Sequence, residues 1–244
     1  MLVVMKFGGS SLANKEKIFR AANRCAREVQ KGRRVIMVLS AMGEMTDELI
    51  EHARKINGTP TLREMDMLLT IGEQISVAFM AQALQTIGVP AISLNAFQVK
   101  IKTSKQHGNA KILHIDRRRI MQELLHGKVV IVTGFQGVNR YNDYTTLGRG
   151  GSDTTAVALA ATFHAAKCDI YTDVDGVYSE VPRKNLQAEK IKELTYDEMY
   201  KIAKSGAQVL EKRAVKIAKK YKVPVEVKSS VTGRRGTLIR EKRK

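Results

Sequence analysis

The chain has no tryptophan, only two cysteines and four prolines among 244 residues, and aromatic residues at 5%. Cys25 and Cys168 match no metal-ligand spacing and are too few for a disulfide framework, so both are expected to be reduced packing residues. Scarce rings argue against a nucleic-acid binder that stacks bases on aromatic side chains. Long hydrophobic runs are missing as well. Met1 to Met5 is apolar but Lys6 follows at once, which is too short for a signal-peptide core. With 43% apolar and 27% charged residues, the composition is that of a globular protein without a membrane span, and a cytoplasmic address is expected. There is no internal repeat, no low-complexity linker and no nucleophile triad. Acidic side chains are in short supply, 24 against 42 basic ones, for a formal charge of +18. Residues 201–244 alone carry fifteen Lys plus Arg against three Glu. This balance attracts phosphate-bearing ligands in general. The basic residues sit at helical spacing without interleaved rings, as on a solvated helix face.

What is present is an alternation of short apolar runs and helical patterns. Leu2 to Phe7 reads as a strand, Lys15 to Lys31 as a helix and Arg34 to Ser40 as a second strand, parallel to the first because the connection is long enough for a crossover. Helices are expected over Thr46 to Ile56 and Leu62 to Ile87, the latter burying Met65, Leu68, Leu69, Ile75 and Phe79, with a strand at Ala91 to Leu94. Phe97 to Ile115 has no clear period and reads as hairpin or loop. A helix at Arg117 to Leu125, a strand buried on both faces at Lys128 to Thr133, a loop from Gly134 to Gly151 and a small-residue helix from Ser152 to Ala166 follow. A strand at Cys168 to Thr172, helices at Tyr196 to Ser205 and Ala207 to Lys220, and strands at Val225 to Lys228 and Thr237 to Ile239 complete an α/β chain. A substrate lobe is expected to give way to a nucleotide lobe near residues 165 to 175.

Three stretches carry chemistry. Lys6-Phe7-Gly8-Gly9-Ser10-Ser11 closes the first strand, where ligands of open α/β sheets bind. Its glycines permit close approach of backbone N–H groups to phosphate oxygens, and Lys6 would supply charge to a phosphoryl group in transfer. Gly-Gly-Ser is also an ordinary turn, and the spacing is not that of a Walker loop. The second stretch, Thr145 to Thr155, places Arg149 among Gly148, Gly150 and Gly151 ahead of Ser152 and Asp153. A helix cap explains Ser152 or Asp153, but not a fork-shaped cation among exposed amides, which would converge on an anion. Asp153 could also orient Lys6. The third, Ile170 to Tyr178, puts Asp173 and Asp175 just past a strand end, suited to magnesium or ribose or to a plain Asp-Gly turn. Thr46-Asp47-Glu48 and Gly72-Glu73 sit at or near helices, where capping explains them nearly as well as binding. His107 and His114 read as surface or packing residues.

Together with Ser40-Ala41-Met42-Gly43, Thr46 to Leu49, Arg63 to Glu73, His107 to Ala110 and Gly134 to Gly137, these stretches resemble the catalytic domain of the aspartokinases, within the amino acid kinase superfamily, over nearly the whole chain. The resemblance implies a three-layer α/β/α sandwich with a mainly parallel sheet, an aspartate-binding part over about 1–165 and an ATP-binding part over 166–244. It implies ATP-dependent phosphorylation of the L-aspartate β-carboxylate, the first step toward lysine, threonine and methionine. The implied partners are L-aspartate and MgATP, in a homodimer, with no nucleic acid and no membrane, and with Mg2+ carried by the nucleotide on no protein metal site. Lys6, Asp153 and Arg149 are then the catalytic group. Lys6, Gly8, Gly9, Ser10, Thr172, Asp173, Tyr178 and Arg183 would contact the nucleotide, and Ser40, Thr46, Glu73, Arg149, Gly150, Gly151 and Ser152 would hold aspartate. Three departures stand out. Gln208-Val209-Leu210-Glu211-Lys212 replaces a Lys-Val-Leu-His-Pro stretch, so a phosphate-contacting lysine is absent or moved to Lys212, and Glu180-Val181-Pro182 replaces the usual Asp-Pro. The family continues into ACT regulatory domains past the position of Lys244, so the expectation is a chain without that effector site. Other superfamily substrates, such as acetylglutamate, glutamate or UMP, are the alternatives, and Arg149 in its Gly-Arg-Gly-Gly-Ser-Asp setting argues against them.

Overall fold

The computed structural model describes residues 1–179, 188–205 and 209–241. Its elements in chain order are β1 (Leu2–Phe7), α1 (Lys15–Gln30), β2 (Arg34–Leu39), α2 (Met45–Ile56), α3 (Leu62–Thr86), β3 (Ala91–Leu94), β4 (Ile101–Thr103), β5 (Ile112–Ile115), α4 (Arg118–Leu125), β6 (Val129–Thr133), β7 (Gln136–Val138), β8 (Tyr144–Thr146), α5 (Gly151–Thr162), β9 (Lys167–Thr172), β10 (Val177–Tyr178), β11 (Lys190–Ile191), β12 (Glu193–Leu194), α6 (Tyr196–Lys204), α7 (Lys212–Tyr221), β13 (Val225–Ser229) and β14 (Thr237–Ile239).

β1, β2 and β6 are apolar along nearly their whole length because both of their faces are covered. They sit at the centre of a sheet ordered β12-β14-β13-β9-β1-β2-β6-β3, in which only the β13–β14 pair is antiparallel. Successive side chains alternate between faces. Val3, Met5 and Phe7 join Met37 and Leu39 in a cluster with Ile18, Ala22 and Cys25 of α1 and Val77, Met80 and Leu84 of α3. Val4, Val38 and Val132 instead pack against α4, α5, α6 and α7, through Ile120, Leu159, Met199 and Val215 among others. The result is a three-layer α/β/α sandwich with a mainly parallel central sheet. A second sheet, β5-β4-β7-β8, lies beside it. Both cysteines are free and buried, as expected. Burial pushes their thiols up, that of Cys25 to about 12.

The chain departs from its local pattern in four places. Gly134 to Gly151 is not loop throughout but contains the antiparallel β7–β8 pair, held to the rest by the Gln136 side-chain amide, which donates to the Thr70 carbonyl at 2.9 Å. α5 stops at Thr162, where His164 turns to φ +49 and the chain swings into β9. Every residue of α5 from Gly151 to Ala160 is buried, so its small side chains serve close packing in the interior. Of the helix expected over Ala207 to Lys220, Ala207 and Gln208 lie outside the described residues, and α7 begins at Lys212, where the Glu211 carboxylate accepts the Arg213 and Ala214 amide hydrogens as its N-cap. α3 buries Asp66, Thr70, Glu73 and Ser76 beside Leu69, Val77 and Met80, while Phe79 is 47% exposed and Met65, Leu68 and Ile75 are half-buried. By length and composition alone α3 is apolar enough to cross a bilayer, but here it packs on the sheet. The lobe boundary expected near residues 165 to 175 falls in β9, which pairs with β1 on one side and β13 on the other within one continuous sheet.

Candidate active site

Because β1, β2, β6 and β9 are parallel neighbours, their carboxyl ends open on one edge, and the loops that follow them converge there. The turn after β1 presses against the loop after β2. Gly43 donates its N–H to the Gly9 carbonyl at 3.0 Å, and a Cβ on Gly9 would stand 2.5 Å from the Ala41 carbonyl oxygen, so only glycine permits this approach. Between these loops, α2, α3 and the Gly148 to Ser152 turn lies a cavity of about 640 Å³. Of the residues expected to bind, Lys6, Gly9, Ser40, Thr46, Glu73, Arg149, Gly150, Gly151 and Ser152 line it. Gly8 and Ser10 flank Gly9 without lining it.

The Lys6 ammonium is 2.7 Å from Asp153 Oδ1, with both side chains about nine-tenths buried. The contact is an ion pair outside hydrogen-bond alignment. Asp153 sits in the first turn of α5, where the helix N-terminus favours a negative charge, and its Oδ2 accepts the Glu211 N–H at 3.3 Å. Glu73, only 2% exposed, accepts the Ala41 N–H on Oε1 at 3.0 Å, while its Oε2 has no hydrogen-bond partner. Burial pushes the Glu73 carboxyl up to about 8. Arg149 is exposed on the turn and has no carboxylate partner among the described residues. The cavity therefore holds a cation paired to a buried acid, a buried acid with an open oxygen, and a free guanidinium.

Three further residues hold this arrangement and gave little local signal. Arg213 of α7 donates to the Leu147 and Arg149 carbonyls and to Asn109 Oδ1, fixing the turn that carries Arg149. Glu211 accepts the Thr154 hydroxyl at 3.2 Å, and Gly150, at φ +71, passes so close that a Cβ there would lie 2.5 Å from Glu211 Cγ. Asp66, 1% exposed, accepts the Gly108 N–H at 3.0 Å and the Thr146 hydroxyl, and lies 2.8 Å from His107 Nδ1. His107, read from the sequence as a surface or packing residue, is thus tied to a carboxylate of the cavity wall. Nothing in an isolated Asp or Arg announces such long-range partners.

The third stretch stays apart. Thr172, Asp173 and Tyr178 do not line the cavity. The Thr172 hydroxyl donates to Asp173 at 2.9 Å, and Asp175 takes the Tyr178 hydroxyl at 2.8 Å and the Lys190 ammonium at 3.1 Å. The Tyr178 hydrogen bond, with Lys190 beside it, holds the Asp175 carboxyl below its usual range against the opposing effect of burial. The stretch reaches the first through Tyr171, whose carbonyl accepts the Gly8 N–H at 3.2 Å. Arg183, with Glu180, Val181 and Pro182, lies outside the described residues, as does Gln208. Lys212, the other position named for a second lysine, is exposed at the start of α7.

The sequence profile of the amino acid kinase family matches residues 1–229. The aspartokinase of Geobacillus stearothermophilus is 54% identical over 240 residues, which cover 98% of this chain and 59% of that protein. Among solved structures, the aspartate kinase from Synechocystis superposes with a TM-score of 0.90 at 45% identity, covering 99% of this chain and 40% of that one. E. coli aspartokinase III, in complex with aspartate and ADP, superposes with a TM-score of 0.90 at 28% identity over 100% of this chain and 65% of that one. The chain thus spans a little under three fifths of the length of the curated relatives it matches.

Proposed function

The chain belongs to the amino acid kinase family, and from that premise we propose that it transfers the γ-phosphoryl group of ATP to the β-carboxylate of L-aspartate, giving 4-phospho-L-aspartate and ADP. The observation that carries this reading is the pairing of groups in one cavity. Arg149 offers a free guanidinium and Glu73 a buried carboxylate with an open oxygen. An α-amino acid brings the complementary pair, a carboxylate for the fork of Arg149 and an ammonium for Glu73. Aspartate bound in this way keeps its side-chain carboxylate for Lys6, which lines the same cavity. The aspartate and ADP held by E. coli aspartokinase III, and the 54% identity to the Geobacillus enzyme, support the choice of substrate.

In this reading aspartate occupies the part over about 1–165 and ATP the part over 166–244, with Thr172, Asp173, Tyr178 and Arg183 as nucleotide contacts. An oxygen of the β-carboxylate attacks the γ-phosphorus in line, a new P–O bond forms, and the bond to the ADP oxygen breaks. The attacking group is already ionised at neutral pH, so no general base is required. Lys6, held by Asp153, neutralises charge on the phosphoryl oxygens, and backbone amides of Gly8, Gly9 and Ser10 assist it. Asp153 is committed to Lys6, Asp173 to Thr172, and Asp175 to Tyr178 and Lys190. Magnesium accordingly fits as the ion held by the phosphates of ATP, where it offsets their charge. A homodimer belongs to the same reading. Met67, Ile71 and Phe79 are apolar and exposed along α3, a surface that a second copy would cover, and light scattering tests it.

The deciding experiment is a coupled assay of ADP release with L-aspartate, L-glutamate, N-acetylglutamate and UMP. Turnover with aspartate and at least tenfold lower kcat/KM for the others is expected. A higher kcat/KM for any of the other three would replace aspartate as the substrate.

A further inference from the structure

Arg20, Arg24 and Arg27 stand on one face of α1, at spacings of four and three residues, where helical neighbours meet. With Asn23, Val231 and Thr232 they line a second cavity, of about 350 Å³, between α1 and the turn that follows β13. Among the described residues no acidic side chain lines it. Among the described residues none of the three arginines forms an ion pair, and Glu28, the carboxylate next to Arg27, is taken by Lys31 and Arg33. Like charges at these spacings oppose the helix.

The cluster is also built, not merely exposed. Arg24 donates to the carbonyls of Ser230 at 3.1 Å and Val231 at 2.7 Å, and its guanidinium lies 5.7 Å from the centre of the Tyr171 ring. The turn closes on it through Gly233, at φ +65, where a Cβ would fall 1.5 Å from an Arg24 nitrogen. Arg24 Nε is buried and has no hydrogen-bond partner. Burial, with the charges of Arg27 and Arg20 adding to it, pulls the Arg24 pKa down against the opposing effect of Tyr171. Arg24 therefore forms a fixed floor, while Arg20 and Arg27 are exposed with uncommitted guanidinium forks.

We propose that this cavity is a second anion site, separate from the one at Lys6, which takes a small, multiply charged tetrahedral oxyanion of the phosphate class. Planar guanidinium forks match the oxygens of such an ion two at a time, which chloride cannot offer, and two free forks at one site call for more oxygens than a single carboxylate has. The size of the cavity suits one or two phosphate groups, whether free or at the end of a larger molecule. Neither the cluster nor its ligand enters the phosphoryl transfer proposed above, so the two readings stand independently.

Calorimetric titration of the full chain with pyrophosphate, orthophosphate and sulfate, at ionic strength held constant with sodium chloride, tests the proposal. Lys6→Ala serves as the background, so that binding at the phosphoryl-transfer site does not contribute. In that background one saturable site is expected, tightest for pyrophosphate, and Arg20→Ala/Arg27→Ala should weaken it at least tenfold. Arg20→Lys/Arg27→Lys, which keeps the charge and loses the forks, should fall between. Should Lys6→Ala fold poorly, the same titrations of the parent chain and of the two arginine pairs in it give the readout as the difference between them. Equal affinity with and without Arg20 and Arg27, or heats that follow ionic strength alone, would overturn the site. Because only exposed arginines are changed, a shared melting temperature of the variants separates loss of the site from loss of the fold.

Discussion

Lys6, Asp66, Glu73 and Asp153 hold their polar groups buried in or beside the wall of the first cavity, whereas Asp173, Asp175, Tyr178 and Lys190, on the neighbouring loop of the same sheet edge, keep theirs partly exposed to water. In the first region a removed partner leaves a buried group without compensation, which costs the full desolvation penalty. In the second, water replaces whatever is lost, and exposed ion pairs contribute little. Substitutions in the cavity should therefore change both chemistry and stability, while substitutions on the loop should change nucleotide binding almost alone.

The contrast is strongest at Lys6. Lys6→Ala is expected to lower kcat by about 10²–10³-fold, the usual loss for one donor aimed at transition-state charge. It should lower the melting temperature too, since Asp153 keeps only the Glu211 N–H. Steady-state kinetics and a thermal melt check both, and a kcat within tenfold of the parent would remove Lys6 from the transfer step.

Glu73 sharpens the comparison through pH. Its folded pKa near 8 lies above the ordinary value of 4.5, so the folded protein holds an extra proton between those two values. The associated stability is complete below about pH 4.5 and is lost as pH rises through 8, on the order of 1.4 kcal/mol per unit of difference. Melts of the ligand-free protein from pH 5 to 8.5 should show that decline, and Glu73→Gln should remove it. An ammonium ligand favours the ionised form, so the aspartate KM should fall over the same range in the parent alone. Parallel profiles in parent and variant would exclude Glu73 as the source.

Arg149→Lys keeps the charge and loses the planar fork, and is expected to raise the aspartate KM about tenfold with the ATP KM within about twofold. Arg213→Ala, which frees the carbonyls of the same turn, should act in the same direction less strongly. Equal rises in both constants would break the assignment of this turn to aspartate. The smallest effect belongs to the loop. Lys190→Ala removes a pair whose members are 32% and 46% exposed, and a change in stability below about 1 kcal/mol is expected by denaturant melts. A larger loss would mean that the loop is as tightly built as the cavity.

Much of this architecture is determined by the chain's local pattern. Continuous apolar runs at Leu2–Phe7, Arg34–Leu39 and Val129–Thr133 specify strands buried on both faces, and Asn14 caps α1 where the helical period begins, its side chain accepting the Lys17 N–H at 3.0 Å. The glycines after β1 and around Arg149 mark the two turns at which backbone must pass close to a ligand or to another loop. These features are local, so each residue's neighbours in sequence are enough to read them. Tertiary structure alone decided the rest. Ala41 meets Glu73 across 32 positions, Asp153 meets Glu211 across 58, Gln136 meets Thr70 across 66 and Thr146 meets Asp66 across 80. A carboxylate on a helix has the same local signature whether it faces water or a backbone amide from a distant loop. For Glu73 and Asp66 that choice was made only when α3 packed against the sheet and its polar stripe became the wall of a cavity.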